Sequence, residues 1–120
     1  MINNVARAVF FTAAMITLTQ PIGAQDLGYN KDDSKAIVLA RELGTLGGAA
    51  IWCKLDEAFI EEFLAWSETQ ITLIAEDDFD KVSARIRLGD TRMISAAKQP
   101  RADCKTIERE IIQKQASARL

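Results

Sequence analysis

Any chemistry in this chain must come from carboxylates, hydroxyls and two thiols, because the sequence holds no histidine. That absence removes the commonest general base, the usual zinc ligand and the side chain that titrates near neutral pH. The thiols, Cys53 and Cys104, stand 51 positions apart. A catalytic redox pair favours a close Cys-x-x-Cys spacing in a thiolate-stabilising environment, so this spacing reads as one structural disulfide. Closing such a loop removes about 4 kcal/mol of unfolded-state freedom, comparable with the net stability of a small domain.

Asp77, Asp78 and Asp80 form the densest acidic cluster, and oxygen-rich groups suit calcium. Counted from Asp78, an EF-hand loop would need glycine where Ser83 stands and glutamate where Gly89 stands, so the pattern fails. The cluster reads instead as a hydrated turn whose acids cap the following helix. Glu57, Glu61 and Glu62 fall on one outer helix side, where carboxylates are ordinarily hydrated. Ser34, Ser67, Ser83, Ser95 and Ser117 lie in no nucleophile-elbow context, and a serine triad has no histidine to draw on. Gly44-Thr-Leu-Gly-Gly48 lacks the lysine of a phosphate-binding loop and reads as packing. No catalytic residue, cofactor or metal site is therefore expected.

The positioning elements are read from apolar spacing. Ala36, Leu39, Leu43, Leu46, Ala50 and Cys53 recur at three and four, which predicts a helix from about Ser34 to Lys54. Gly44, Gly47 and Gly48 each weaken it by about 1 kcal/mol relative to alanine. Because the apolar phase runs through them unshifted, close approach of another helix is favoured over a break. Leu55, Phe59, Phe63 and Trp66, widened by Ile60, Leu64, Ile71 and Ile74, predict a second helix from Asp56 to about Ala75. Asp56 is placed to cap it. Phe79, Val82, Ile86, Gly89 and Met93, then Ala96 or Ala97, continue the spacing to Gln99 as one helix kinked at Gly89 or two short ones, and Pro100 ends it. Asp103 can cap a last helix through Cys104, Ile107, Ile111 and Ile112, fraying into the polar tail from Gln113. The expectation is a small antiparallel all-α bundle of three to four helices, clamped by Cys53–Cys104.

Residues 1–24 have the pattern of a cleaved signal peptide: Arg7 without acids, an apolar run from Ala8 to Leu18, then Gln20-Pro21 and Ala24 before the cut. The run falls short of the about 20 residues of a membrane-spanning helix. Residues 25–33 read as a flexible leader, 34–115 as the helical domain and 116–120 as a tail. A periplasmic or secreted location with no stable membrane span after cleavage is expected, and export itself favours the disulfide.

From Gln25 onward there are 14 Lys+Arg and 17 Asp+Glu, which argues against nonspecific nucleic-acid binding. The charges are unevenly placed. Residues 25–80 carry a net −9 and residues 81–120 a net +6, so acidic and basic helix pairs can neutralise each other within the fold. The alternative is a bipolar surface for a protein partner, with Arg85, Arg87, Arg92 and Lys98 along one helix and Trp52 and Trp66 as anchors. The functional expectation is a small noncatalytic exported protein that binds another protein, as an inhibitor or immunity-type protein does.

In outline the chain also resembles the small periplasmic acid-stress chaperones of enteric bacteria. The shared features are a signal peptide, a helical mature domain just under a hundred residues, no histidine and two cysteines about fifty positions apart. The resemblance covers architecture, not a motif. It implies a domain that exposes apolar surface when its 17 carboxylates are protonated.

Overall fold

A computed structural model of the chain describes residues 32–118. They form four helices, α1 (Lys35–Trp52), α2 (Glu57–Ile74), α3 (Asp78–Ala96) and α4 (Cys104–Ala118), with no strand among the described residues. The expected all-α bundle is present, and Cys53 is disulfide-bonded to Cys104 across a Cα–Cα distance of 5.7 Å. The signal peptide expected over residues 1–24, and residues 25–31 of the expected leader, lie outside the described residues.

Every helix starts on a side-chain cap. Ser34 accepts the Ile37 N–H at 3.1 Å, Asp56 that of Phe59 at 3.1 Å, Asp77 that of Asp80 at 2.8 Å, and Asp103 that of Thr106 at 2.8 Å. Each satisfies an amide that the first helical turn leaves without a partner. Asp56, Asp77 and Asp103 belong to the caps expected from sequence.

The end of α1 closes differently. The Leu55 N–H reaches back to the Ala50 carbonyl at 3.1 Å and the Lys54 N–H to that of Ile51 at 3.0 Å, a Schellman closure. Lys54 carries it in the left-handed region at φ 57°, where a Cβ costs about 1 kcal/mol or more. Lys54→Gly is therefore expected to raise stability by about 1 kcal/mol, read as a higher denaturant midpoint with unchanged slope. A lower midpoint would show that the lysine side chain has a compensating role.

Helix α1 occupies the middle of the bundle and touches the other three. It runs unbroken through its glycines, and their neighbours show why. A Cβ at Gly44 would stand 2.8 Å from Thr91 Cβ and 2.9 Å from the Leu88 carbonyl oxygen. One at Gly48 would stand 2.5 Å from both the Arg92 carbonyl oxygen and Ser95 Cβ. Ala36, Ala40, Gly44 and Gly48 follow one another at intervals of four, so together they make a small-residue ridge against which α3 lies at backbone distance.

Contacts along that ridge fix the topology. Ser34 meets Asp80, Gly44 meets Thr91 and Gly48 meets Ser95, a nearly constant offset, so α1 and α3 run parallel. Gly47 meets Leu64 while Leu43 shares a groove with Trp66, so α2 runs antiparallel to α1. The disulfide and a 3.2 Å Lys114–Glu42 ion pair place α4 antiparallel to α1 as well. In a regular up-down bundle the first and third helices are diagonal partners. Here the missing side chains bring that diagonal pair into contact, and α3 stays clear of α4.

The core joins Leu43, Leu46 and Ala50 of α1 to Phe63 and Ile71 of α2, Ala84 and Leu88 of α3, and Ile107 and Ile111 of α4. One expectation is corrected, and one stripe takes a side that spacing alone does not set. Helix α4 does not fray at Gln113 but continues to Ala118, helped by the Lys114–Glu42 pair. The apolar stripe of α3 does not face the core: its buried residues are Asp80, Ala84, Leu88 and Ser95, because only small or slender side chains fit against the α1 ridge.

Candidate functional site

With its small face against α1, α3 turns its large apolar residues outward. Phe79 is 80% exposed, Ile86 59% and Met93 67%, with Val82 and Ile94 also exposed. At 100° per residue, Phe79, Val82, Ile86 and Met93 share one stripe on the side of the helix opposite Ala84, Leu88 and Ser95. Gly89 lies within that outer surface with nothing near its Cβ position. Each such side chain forgoes about 1.5–3 kcal/mol by staying in water. Single exposed apolar residues are ordinary, but a contiguous stripe marks an interaction surface.

The cations expected along this helix separate. Arg85 and Arg92, seven residues apart, lie on one flank of the stripe, and Arg87 lies on the other. Arg85 reaches α2, where its Nη2 donates to Glu68 Oε1 at 2.9 Å. Lys98 follows the end of α3 and is exposed. The Arg85–Glu68 and Lys114–Glu42 pairs each join the acidic half of the sequence to the basic half, so part of the charge asymmetry is used inside the bundle. Being half-exposed, such pairs contribute little to stability.

Neither tryptophan belongs to the stripe. Trp52 closes α1 and is 39% exposed. Trp66 stacks on Phe63, ring centroids 5.7 Å apart, and lines an open groove of about 540 Å³ with Leu39, Leu43, Gln70 and Glu110. Among the described residues every buried side-chain nitrogen or oxygen has a partner. The groove thus presents no buried polar group awaiting a ligand.

The acidic cluster divides into three roles. Asp78 is exposed and stands 3.7 Å from Lys81. Asp77 caps α3 as expected. Asp80 departs from the hydrated-turn reading: it is buried, accepts the Ser34 hydroxyl from the start of α1 and takes the Glu76 N–H at 2.9 Å. It ties the start of α1 to the α2–α3 turn and the first turn of α3. Sequence spacing carried no sign of this, since Ser34 is remote in the chain. Among the described residues no three acids or thiols are grouped to hold a metal ion.

These bonds, Ser34 first and the Glu76 amide second, hold the Asp80 carboxyl below its ordinary value of 3.8. Asp103 is lowered likewise, by the Thr106 amide and then the Thr106 hydroxyl. A carboxyl depressed in the folded state stabilises the fold above its unfolded pKa and loses that contribution as pH falls through the folded value. Below about pH 4 the fold is therefore expected to weaken. Asp80→Asn should weaken it at pH 7 and flatten that acid limb. Denaturant melts of both proteins between pH 7 and pH 2 check this, and parallel limbs would refute the assignment.

The fold and its outer face define a small disulfide-clamped helical bundle carrying an exposed apolar helix. Compared with known protein families, with curated proteins and with solved structures, the chain matches none. No helix among the described residues is long and apolar enough to cross a membrane.

Proposed function

We propose that the chain is a small exported, noncatalytic protein that works by binding another protein through the outer face of α3. The observation that carries this reading is the orientation of that helix, which buries Ala84 and Ser95 while leaving Phe79, Val82, Ile86 and Met93 in water. Such a helix suits the mode in which anchors at intervals of three, four and seven enter an apolar groove. Export is supported by the apolar run after Arg7 and by the disulfide. The absence of histidine supports a noncatalytic role. An inhibitor or immunity-type protein would use such a face.

The test is site-specific photocrosslinking in the native compartment. A crosslinker at Ile86 should give one discrete protein adduct, and the same group at Glu61, on the exposed side of α2, should not. No adduct at Ile86, or equal labelling from both positions, would end the proposal.

A second reading, a periplasmic acid-stress chaperone, is favoured by Asp80. Its protonation would loosen the joint between α1 and α3 and uncover the apolar residues beneath, adding to the surface already exposed. Dye binding and client aggregation between pH 7 and pH 2 discriminate. A chain that stays closed and inert at pH 2 removes this reading.

A further inference from the structure

We infer that the outer face of α3 pairs with the same face of a second copy of this chain, the two helices lying parallel about a two-fold axis. The inference rests on the reading of that face as a docking surface and names its occupant.

The spacing is that of a coiled-coil seam. Phe79, Val82, Ile86, Gly89 and Met93 recur at intervals of three and four, so they fill alternating seam positions over a length of about 21 Å. Gly89, open on this face, lets the two backbones approach at the fourth layer. Among the described residues α3 is built on α1, meets α2 on the flank where Arg85 bonds Glu68 and stays clear of α4, which leaves Phe79, Val82, Ile86 and Met93 open to a second helix.

The flanking charges choose both the occupant and its direction. In a parallel pair, a flank residue on one helix meets the residue five positions later on the other. Arg85 thereby meets Asp90 of the second copy, and the symmetry repeats the pair. Asp78 meets Ser83, and Arg92 meets Ala97, with no like charges opposed. An antiparallel pair that keeps the whole stripe in register would instead oppose Arg85 to Arg92 twice. The Glu68 bond is compatible with the parallel arrangement, since it occupies one of the five donors of the Arg85 guanidinium and holds that side chain beside the seam.

One helix pair covers less than the about 800 Å² per partner of a standard stable interface. The dimer should therefore dissociate on dilution. Sedimentation of the full chain with its disulfide intact tests this. Twice the monomer mass, falling toward one on dilution, is expected for the native protein. Ile86→Asp should give a monomer of unchanged helical circular dichroism.

Asp90→Arg sets a second guanidinium against that of Arg85 across the seam and should weaken association about tenfold. The double variant Arg85→Asp with Asp90→Arg should restore it. A native chain that remains monomeric up to about 1 mM overturns the inference, as does an Asp90→Arg variant that associates as tightly as the native chain. A monomeric chain that still gives the Ile86 adduct with a different protein overturns self-pairing while the docking reading stands. Loss of both the dimer and the Ile86 adduct ends the two together.

Discussion

Gly48→Ala is expected to destabilise the protein by about 2 kcal/mol, although alanine is the better helix former by about 1 kcal/mol. The added methyl would lie 2.5 Å from the Arg92 carbonyl oxygen, 2.5 Å from Ser95 Cβ and 2.8 Å from the Ala96 nitrogen. Two of these three are backbone atoms in the last turn of α3, so neither can swing aside as a side-chain tip would. The helices must separate, and overpacking of this kind costs about 1–3 kcal/mol, sometimes more. Separation here also pulls on Gly44, whose Cβ position is only 2.9 Å from the Leu88 carbonyl oxygen.

Gly89→Ala is the matched control. It has the same propensity gain and no atom within 4 Å of the new methyl, so it should stabilise the monomer fold by about 1 kcal/mol. Gly47→Ala falls between, because the clash there is with the terminal methyl of Leu64 at 2.8 Å, which can move. Chemical denaturation of the three variants checks the order. If Gly48→Ala is as stable as Gly89→Ala, α1 and α3 do not meet at backbone distance.

That contrast also shows what could be read in the sequence. Four helices, the Asp56, Asp77 and Asp103 caps and the disulfide were legible, because each depends on residues close together in the chain or on a count of two cysteines. The packing role of Gly44 and Gly48 was legible in kind, from an apolar phase that ran through them, but their partner helix was not. The stripe of α3 is legible as residues, but its side is not. Periodicity shows that Phe79, Val82, Ile86 and Met93 share a face; it does not show whether that face meets the core or water.

The deciding fact was a shape match: a ridge of alanine and glycine on α1 admits Ala84 and Ser95 and excludes phenylalanine or methionine. The bond from Ser34 to Asp80 was beyond reach for a related reason, since it depends on that parallel docking bringing two capping turns together. Arg85 was identified as a surface cation, yet its bond to Glu68 depends on how α2 and α3 settle side by side.

Breaking the disulfide by Cys53→Ser with Cys104→Ser is expected to cost about 4 kcal/mol, the loop-entropy contribution of a bridge spanning 51 positions. Against a net stability of about 5–15 kcal/mol for a domain, this is a large share of what holds the fold. It should not act evenly. Helix α3 is held by the α1 ridge, while α4 is held by Ile107, Ile111, the Lys114–Glu42 pair and the bridge.

Of the α4 attachments, the ion pair is partly exposed and weak, which leaves two isoleucines to retain the helix once the bridge is gone. Amide protons of α4 are therefore expected to exchange first in the double serine variant, while those of α1 between Ala40 and Gly48 keep their order of protection. Denaturant melts give the magnitude and hydrogen exchange gives the location. A loss below about 1 kcal/mol, or exchange that accelerates equally in α1 and α4, would mean that α4 is secured by its packing and the bridge is incidental to the fold.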